Sequence, residues 1–383
     1  MNRRAVLAPL ATGLAGLISG VVELGLDPKH ALFAYTAGFL AALSTAVGAL
    51  LFLMIAQTAG AQWFVIFQRV TGAVAATMPI FVVLFVPIAL GTKWLYPWAK
   101  PSAGLDEQSR AWAAHAHAWL NVPFFLARSF LYLFLWASLA ILLRHESVLT
   151  DTRPEARSIA RQRFVSAAGL PVMAITLTLA AFDWVMSMNP RWTSDILGVY
   201  SFAGAFSGAM GATALGAWLA WRARLLPRDV GPAHFHALGR VLLVAVIFWA
   251  YIGFAQFLLV WIADMARETS FYLDRSGGVW AYMAVVLFAA HFAIPFLLLL
   301  SRSLKRTPSM LGVVGGLLVC AHALDVYWLV VPALRGGVRW LDLPVVIGVV
   351  GVAGAFGVWR FFSAQPIPVR DPALTKSLRY ESP

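Results

Sequence analysis

A few ionisable and polar side chains lie inside apolar runs that are long enough to cross a lipid bilayer. A charge near the centre of such a run costs at least about 2.5–3.5 kcal/mol on insertion scales, so these side chains are the strongest candidates for chemistry. Within the runs they are Arg128, Asp183, Tyr251, Gln256, His291, His322 and Asp325, and near the ends of runs they are Glu23, Asp264 and Asp342. The rest of the chain must hold these groups in place.

His322 and Asp325 are three residues apart, which puts both on one face of a helix. An imidazole beside a carboxylate suits a proton relay, because histidine exchanges protons near neutral pH. A hydrogen-bonded pair that fixes helix packing is the alternative, and the spacing leaves both open. We expect a proton half-channel from the outer face to mid-membrane. Its further candidate members are Asp183, Tyr251, Gln256, Asp264 and His291.

Arg128 and Asp183 are predicted to form a buried ion pair, because they lie on consecutive helices and such helices are often neighbours. The pair has a purely structural interpretation as well as a functional one. His291 is followed one turn later by Pro295, which frees a backbone carbonyl, as is common in functional membrane helices. His291 and His322 together could ligate at most one haem, so a haem-bearing membrane anchor stays open as an alternative.

The composition excludes a soluble enzyme. Hydrophobic residues make up 61% of the 383 residues and charged residues 12%, with a mean hydropathy of +0.77, whereas soluble domains carry about 25% charged residues. The net charge of +12 would suggest a nucleic-acid partner in a soluble chain. Here the basic residues stand in short segments between apolar runs, so we predict lipid and no nucleic acid as the partner.

Redox and nucleotide chemistry have no motif on this chain. The single cysteine, Cys320, cannot form an internal disulfide, a CxxCH haem attachment or a thiolate-bound iron–sulfur cluster. The sequence also contains no GxxxxGK, HExxH or CxxC motif. We therefore predict that this chain has no metal site and no catalytic centre of its own.

The apolar runs predict ten membrane-spanning helices, since a span needs about 20 residues. The runs are 6–24, 31–56, 70–91, 119–143, 164–187, 197–221, 241–263, 278–301, 309–332 and 343–362. The first run is interpreted as a retained span and not as a signal peptide. With the N-terminus inside, 19 basic residues fall on the inner side and 9 on the outer side. The positive-inside rule then predicts cytoplasmic termini in a bacterial inner membrane.

The predicted fold class is all-α integral membrane, with residues 1–383 as a single polytopic domain. Short loops favour two four-helix bundles, helices 2–5 within 31–187 and helices 6–9 within 197–332, with two flanking helices and a cytoplasmic tail at 363–383. Loop 92–118 is expected to be a lid at the outer interface. Loop 144–163 is expected to be a charged connector with a short surface helix.

Several segments carry a resemblance to a known family. The run AFDWVMSMNPRWTSDILGVYSFAGAFSG at 181–208 resembles the F-D-W-x-M-S-[LM]-x-P-x-W-x-[ST]-x-x-x-G-x-Y signature of the large membrane subunits of alternative complex III. That complex is a quinol:electron-acceptor oxidoreductase, and these subunits are relatives of the polysulfide-reductase membrane anchor. Further segments resemble the smaller of its two ten-helix subunits, the F subunit or quinone-binding subunit 2. They are YPWAKP (96–101), LNVPFFLARSFLYLFLW (120–136), FWAYIGFAQFLLVWIADMARETSFYLDR (248–275), HFAIPFLLLLSRSLKR (291–306) and HALDVYWLVVP (322–332).

The resemblance covers about 31–360, in six motifs that keep their order. It departs from the family at IADMARE (262–268), where an Asn-Leu-Pro-Glu-like run is more usual. It implies a subunit that binds no haem or iron–sulfur cofactor itself and that contacts quinol or quinone. It also implies a homologous larger membrane subunit, an iron–sulfur subunit and c-type cytochrome subunits as partners. Proton conduction is a further expectation, and a secondary transporter is the alternative from another class.

Overall fold

The computed structural model describes residues 3–100, 112, 114–152, 156–190 and 192–381. Within these residues ten helices are long and apolar enough to cross a membrane. They are α1 Ala5–Leu26, α2 Pro28–Thr58, α3 Gln68–Leu90, α4 Val122–Thr152, α5 Arg157–Met188, α6 Leu197–Arg222, α7 Pro232–Ala263, α8 Gly278–Leu300, α9 Pro308–Leu334 and α10 Asp342–Phe362. The predicted all-α membrane fold with ten spans is confirmed.

The helices form two rings of four. In the first ring α2 packs against α3 and α5, and α4 packs against the same two helices. In the second ring α6 packs against α7 and α9, and α8 packs against the same two. The rings join where α2 contacts α6 and α9, while α1 and α10 pack on each other and on α2. This is the organisation expected from the sequence, with both flanking helices beside the first bundle.

An even number of spans puts the residues before α1 and after α10 on one side of the membrane. We call this side, which also holds residues 223–231 and 301–307, the tail side. The opposite side holds residues 91–100 and 264–277. The tail does not hang free, because the Ser377 hydroxyl donates to the Trp63 carbonyl at 3.3 Å and the Arg240 side chain donates to the Tyr380 hydroxyl at 2.8 Å.

The helix interruptions correspond to prolines. In α8 a π-helical turn at Phe288–Ala293 holds His291, and Pro295 follows it. The α3 span breaks before Pro79 and before Pro87. Pro9 and Pro171 lie inside helices α1 and α5, and both helices continue through them without a break.

The expectation of a short surface helix in loop 144–163 is wrong. That charged segment is instead an extension of two spans, because α4 continues to Thr152 and the next helix starts at Ala156. A helix of 31 residues such as α4 is about 46 Å long, so it extends well beyond about 30 Å of hydrocarbon. Of the expected lid at 92–118, residues 101–111 and 113 lie outside the described residues.

The bundles approach each other through a glycine on α2. A Cβ added to Gly48 would lie 2.0 Å from the Ala205 carbonyl oxygen on α6. By contrast, a Cβ added to Gly72 on α3 would meet nothing within 4 Å. Only a residue without a side chain therefore fits at the first position.

We expect Gly48→Ala to lower the free energy of unfolding by about 1–3 kcal/mol, the usual cost of overpacking a well-packed interior. Gly72→Ala is the matched control and should leave stability equal or higher, because alanine is the better helix former. Equilibrium unfolding of both variants in detergent checks this. Equal stability of the two variants would show that the α2–α6 approach is looser than described.

Candidate functional site

A group of buried and half-buried polar side chains lies where the two bundles meet, from the middle of the spans toward their ends on the opposite side. We call it the central cluster, and its members are Ser44, Tyr200, Ser207, Trp249, His291, His322 and Asp325. They come from α2, α6, α7, α8 and α9, so the cluster depends on the packing of both bundles. Three of the sequence candidates, His291, His322 and Asp325, are brought together here.

Asp325 is held by two neutral donors. The Tyr200 hydroxyl donates to one carboxylate oxygen at 2.5 Å, and the Trp249 indole N–H donates to the other at 3.0 Å. The carboxylate is 2% exposed. Because neither donor carries a charge, the negative charge of Asp325 is not cancelled by the groups that bind it. A buried carboxylate in such surroundings is a natural proton acceptor.

His322 lies beside Asp325 in a space that glycines provide. A Cβ added to Gly208 on α6 would lie 2.5 Å from His322 Cδ2, so a larger residue would displace the ring. A Cβ on Gly204 would be 3.4 Å from His322 Nδ1 and 3.5 Å from Asp325 Oδ2. The two predicted relay residues thus face the same small patch of α6. His322 Nε2 is 2.7 Å from the Ser44 hydroxyl of the first bundle.

His291 completes the cluster from the π-helical turn of α8. Its ring stacks on Trp249 with the centroids 3.9 Å apart, and its Nε2 is 3.0 Å from the Ser207 hydroxyl. The ring centroids of His291 and His322 are 6.3 Å apart. The Nδ1 atoms of both histidines are buried and make no hydrogen bond with the described residues. Each imidazole therefore keeps one nitrogen free for proton exchange.

A small cavity adjoins the cluster. This central cavity has a volume of about 60 Å³, and its lining includes Ser44, Tyr200, Ser201, His322 and Asp325. The volume is enough for a few water molecules, and the polar groups are the partners that buried water needs. Water there can bridge His322 and Asp325, which make no direct hydrogen bond with each other.

A second and much larger cavity opens on the tail side. This tail-side cavity has a volume of about 580 Å³ and lies between α2, α3, α6, α9 and α10. Its lining is mainly alanine, valine, leucine, glycine and phenylalanine, with Thr45 and Thr77 as polar members. Thr45 and Ala323 mark its inner end, next in sequence to Ser44 and His322 of the central cluster. Its size and lining suit an apolar chain.

Arg128 and Asp183 form a bidentate ion pair within the first bundle. Arg128 Nε and Nη2 donate to the two Asp183 oxygens at 2.9 and 2.7 Å. The Tyr132 hydroxyl and the Trp119 indole N–H also donate to Asp183, at 3.0 and 2.9 Å. Arg128 further donates to the Trp119 carbonyl and lies 4.0 Å from the centre of that ring. With four donors, Asp183 is saturated, which favours a structural role over proton transfer.

The remaining sequence candidates lie elsewhere. The Tyr251 side chain is 66% exposed on the outward face of α7, where lipid or a partner contacts it. Asp264 ends α7 in the left-handed conformation, with φ of 44°, and is exposed. Gln256 is buried two turns along α7 from Trp249, on the same face. Of these three, only Gln256 is in reach of the interior of the second bundle.

A hydrogen-bonded row of polar side chains on the tail side, called the polar chain below, was not predicted from the sequence. Successive contacts of 2.7–3.5 Å join side chains of α2, α4 and α5, from an exposed arginine to a fully buried serine. From the surface inward they are Arg161, Glu146, Ser158, Thr150, Gln162, Gln57 and Ser166. All of them except Ser166 were overlooked because the predicted spans end at 56 and 143 and begin at 164. The long polar ends of α4 and α5 were the available signal.

Arg275 anchors the loop between α7 and α8 to the end of α9, another contact that the sequence interpretation did not anticipate. Its guanidinium donates to the Trp328 and Leu329 carbonyls at 3.1 and 3.0 Å and lies 3.6 Å from the centre of the Phe271 ring. Burial lowers the pKa of Arg275 to about 9. The unpaired carbonyls at a helix end are good partners for such a cation. Arg275 thereby fixes the end of the helix that carries His322 and Asp325.

A comparison with protein-family models and a search of curated proteins each returned no match for this chain. The geometry and the sequence motifs therefore carry the functional argument.

Proposed function

We propose that this chain is a non-redox membrane subunit of a quinol-oxidising respiratory complex of the alternative complex III type. It contributes to assembly, contacts quinone, and provides part of a proton path. The observation that carries the proposal is the central cluster, where a carboxylate with neutral donors and two histidines with free nitrogens share the junction of two bundles. The complex's electron carriers then belong to partner subunits, namely an iron–sulfur protein, c-type cytochromes and a homologous larger membrane subunit.

The motifs that resemble the family support this assignment, because they hold the buried polar residues of the structure. The 181–208 motif contains Asp183 of the ion pair and Tyr200 of the central cluster. The motifs at 291–306 and 322–332 contain the two cluster histidines and Asp325. A resemblance confined to apolar stretches would be much weaker, since all membrane helices share that composition.

The proposed proton path enters from the opposite side and ends at the central cluster. The lining of the central cavity reaches Val185 and Leu329, which lie toward that side. From the tail side, the polar chain reaches Gln57 and Ser166 and then stops. Between Ser44 and Gln57, helix α2 runs through 13 residues, about 20 Å, of mostly buried apolar side chains. We therefore assign this chain a half-channel rather than a complete path.

Quinone contact is assigned to the tail-side cavity. Its volume of about 580 Å³ lies within the usual range of about 300–1,000 Å³ for small-molecule sites. Its two threonine hydroxyls donate to their own helix, Thr45 to the Ala41 carbonyl and Thr77 to the Val74 carbonyl. The lining therefore suits the apolar tail of a quinone better than a reacting headgroup. This supports a subunit that holds quinone near the complex without oxidising it.

The haem-bearing alternative fits the cluster poorly. Nε2 of His291 and of His322 each face a serine hydroxyl, and Trp249 covers one face of the His291 ring. The adjoining cavity of about 60 Å³ is far below about 300 Å³, the lower end for small-molecule sites. A secondary transporter would show broken helices in matching positions of two repeats. Here the breaks lie in α3, second in its bundle, and in α8, third in its bundle.

We assign the chain to a bacterial inner membrane, with the tail side facing the cytoplasm. The larger number of lysines and arginines on the tail side supports that orientation. Among them Arg69 binds the end of α4 and Arg240 binds the tail. The central cluster is then reached from the periplasm.

Purification of the tagged chain from its own host in mild detergent tests the assignment. We expect it to co-purify with a second ten-helix subunit, an iron–sulfur protein and c-type cytochromes, and the preparation to oxidise quinol. Mass spectrometry identifies the subunits, and a parallel purification of the untagged chain removes non-specific background. A stable single chain that carries stoichiometric haem, with no redox partners, would contradict the proposal.

A further inference from the structure

Three side chains that commonly bind metals meet on the opposite side of the membrane, away from the central cluster. Glu23 is one turn before the end of α1, His30 is in the first turn of α2, and Asp342 is the first residue of α10. One oxygen of each carboxylate and one nitrogen of His30 all lie within 4.8 Å of one another. The residues are 0–2% exposed. Three separate helices thus place their ligand atoms around one point.

Glu23 is the residue whose carboxylate lacks hydrogen-bond partners within the described part of the chain, which indicates that it binds a ligand. It is 0% exposed, and neither of its carboxylate oxygens makes a hydrogen bond with any described residue. Its Oε1 is 4.0 Å from His30 Nε2, so the carboxylate is directed at the cluster. His30 Nε2 is hydrogen-bonded to Asp342 Oδ2 at 3.1 Å, whereas Asp342 Oδ1, 2.9 Å from the same nitrogen, makes no hydrogen bond with the described residues. Buried carboxylate oxygens without partners are costly, and a bound cation would remove that cost.

The charge and the donor set fit a divalent transition metal. Two carboxylates and a neutral imidazole carry a charge of about −2, which one divalent ion cancels. Zn²⁺ binds imidazole nitrogen and carboxylate oxygen at about 2.0–2.2 Å, so its tetrahedral ligand atoms are about 3.3 Å apart. The two distances from His30 Nε2, 2.9 Å to Asp342 and 4.0 Å to Glu23, lie on either side of that spacing. Metal binding would therefore lengthen the first distance by about 0.4 Å and shorten the second by about 0.7 Å.

Neighbouring groups donate hydrogen bonds to Asp342 and so fix its orientation, as groups next to metal ligands commonly do. The Tyr327 hydroxyl donates to Asp342 Oδ2, and so does the Arg339 backbone N–H at 2.9 Å. On the aqueous side an ion pair borders the cluster, with Arg339 Nη2 2.8 Å from Asp27 Oδ2 and both side chains partly exposed.

We propose that Glu23, His30 and Asp342 bind a divalent transition-metal ion, for which Zn²⁺ is the best fit, with water as the fourth ligand. The ion joins the ends of α1 and α10 to the start of α2. The sequence interpretation predicted no metal site, because these ligands are too far apart in the chain to form a motif. The proposal is independent of the quinol-related function and applies to the chain alone.

The test uses the full chain in detergent, stripped with a chelator and then reloaded. We expect about one Zn²⁺ per chain after desalting, a higher melting temperature with Zn²⁺, and intense visible absorption when Co²⁺ replaces it, as a tetrahedral site requires. Glu23→Gln should weaken Zn²⁺ binding more than about 100-fold, and Tyr327→Phe, which removes a supporting donor, about 10–100-fold.

Asp27→Asn is the matched control, because it removes a neighbouring carboxylate that is not a ligand, and it should leave the number of bound Zn²⁺ ions at one. The proposal is overturned if the wild-type chain retains no metal. It is also overturned if Glu23→Gln and Asp27→Asn bind Zn²⁺ alike. If Glu23→Gln does not fold, the Co²⁺ spectrum of the wild type decides, since a weak octahedral spectrum excludes the site.

Discussion

Asp183→Asn should lower the free energy of unfolding of the chain by about 3–5 kcal/mol, because it leaves Arg128 buried without its counter-charge. Arg128 would keep only neutral acceptors, the Trp119 carbonyl and the amide oxygen of the new asparagine. Arg128→Gln should cost less, since Asp183 would still accept hydrogen bonds from Tyr132 and Trp119. The structure therefore predicts an asymmetry between the two single variants. Equilibrium unfolding in detergent measures both.

The double variant distinguishes a true pair from two independent sites. With both charges removed, the loss should be smaller than the sum of the single losses by about 0.5–3 kcal/mol, the usual coupling between residues in contact. Asp27→Asn serves as the control for removing a paired carboxylate at the surface, where it is partly exposed, and should cost no more than about 1 kcal/mol. If the losses in free energy of unfolding for Arg128→Gln and Asp183→Asn simply add in the double variant, the two side chains do not form the bidentate contact.

Local chemistry in the sequence was enough to predict the spans and the ion pair. Apolar runs of about 20 residues have one physical meaning, so the ten helices followed from composition. Arg128 and Asp183 were paired because a buried charge requires a partner and consecutive helices are neighbours. The placement of His322 and Asp325 on one face of α9 followed from a spacing of three.

Contacts between helices that are distant in the chain could not be predicted in this way. His30 and Asp342 are 312 residues apart, and the neutral donors of Asp325 come from α6 and α7. No sequence pattern states which face of one helix meets another. Tyr251 was included because it is polar and in a span, yet its side chain is on the outward face. Rotation of a helix about its axis is set by packing across the whole bundle.

The glycines of α6 show how such packing prepares a site. Gly204 and Gly208 are one turn apart, and both face His322. In the sequence they are two small residues in a run rich in glycine and alanine, which also suits simple close packing of helices. The structure shows that they make room for an imidazole between the bundles. Sequence reasoning therefore found His322 and Asp325 but not the space between the bundles that holds them.

Asp325→Asn should abolish the proton movement that this chain supports while leaving the fold and quinol oxidation intact. Asparagine has the size of aspartate, its amide oxygen can accept from the Trp249 indole N–H, and its NH2 group can donate to the Tyr200 hydroxyl, so the helices should pack as before. It cannot accept and release a proton, and loss of a positioned proton carrier slows transfer by about 10²-fold or more. The complex reconstituted in vesicles, with a pH-sensitive dye on the periplasmic side, reports proton release for each quinol oxidised.

Two further variants make the result specific. Asp325→Glu keeps the carboxyl group and should retain part of the proton release, whereas a merely structural role would make the longer side chain as harmful as asparagine or worse. Asp264→Asn makes the same change at an exposed carboxylate at the end of α7, outside the central cluster, and should release protons as the wild type does. Unchanged proton release in Asp325→Asn would remove the relay and leave Asp325, Tyr200 and Trp249 as a packing contact. Loss of quinol oxidation together with proton release would instead indicate that Asp325 supports the assembly of the complex.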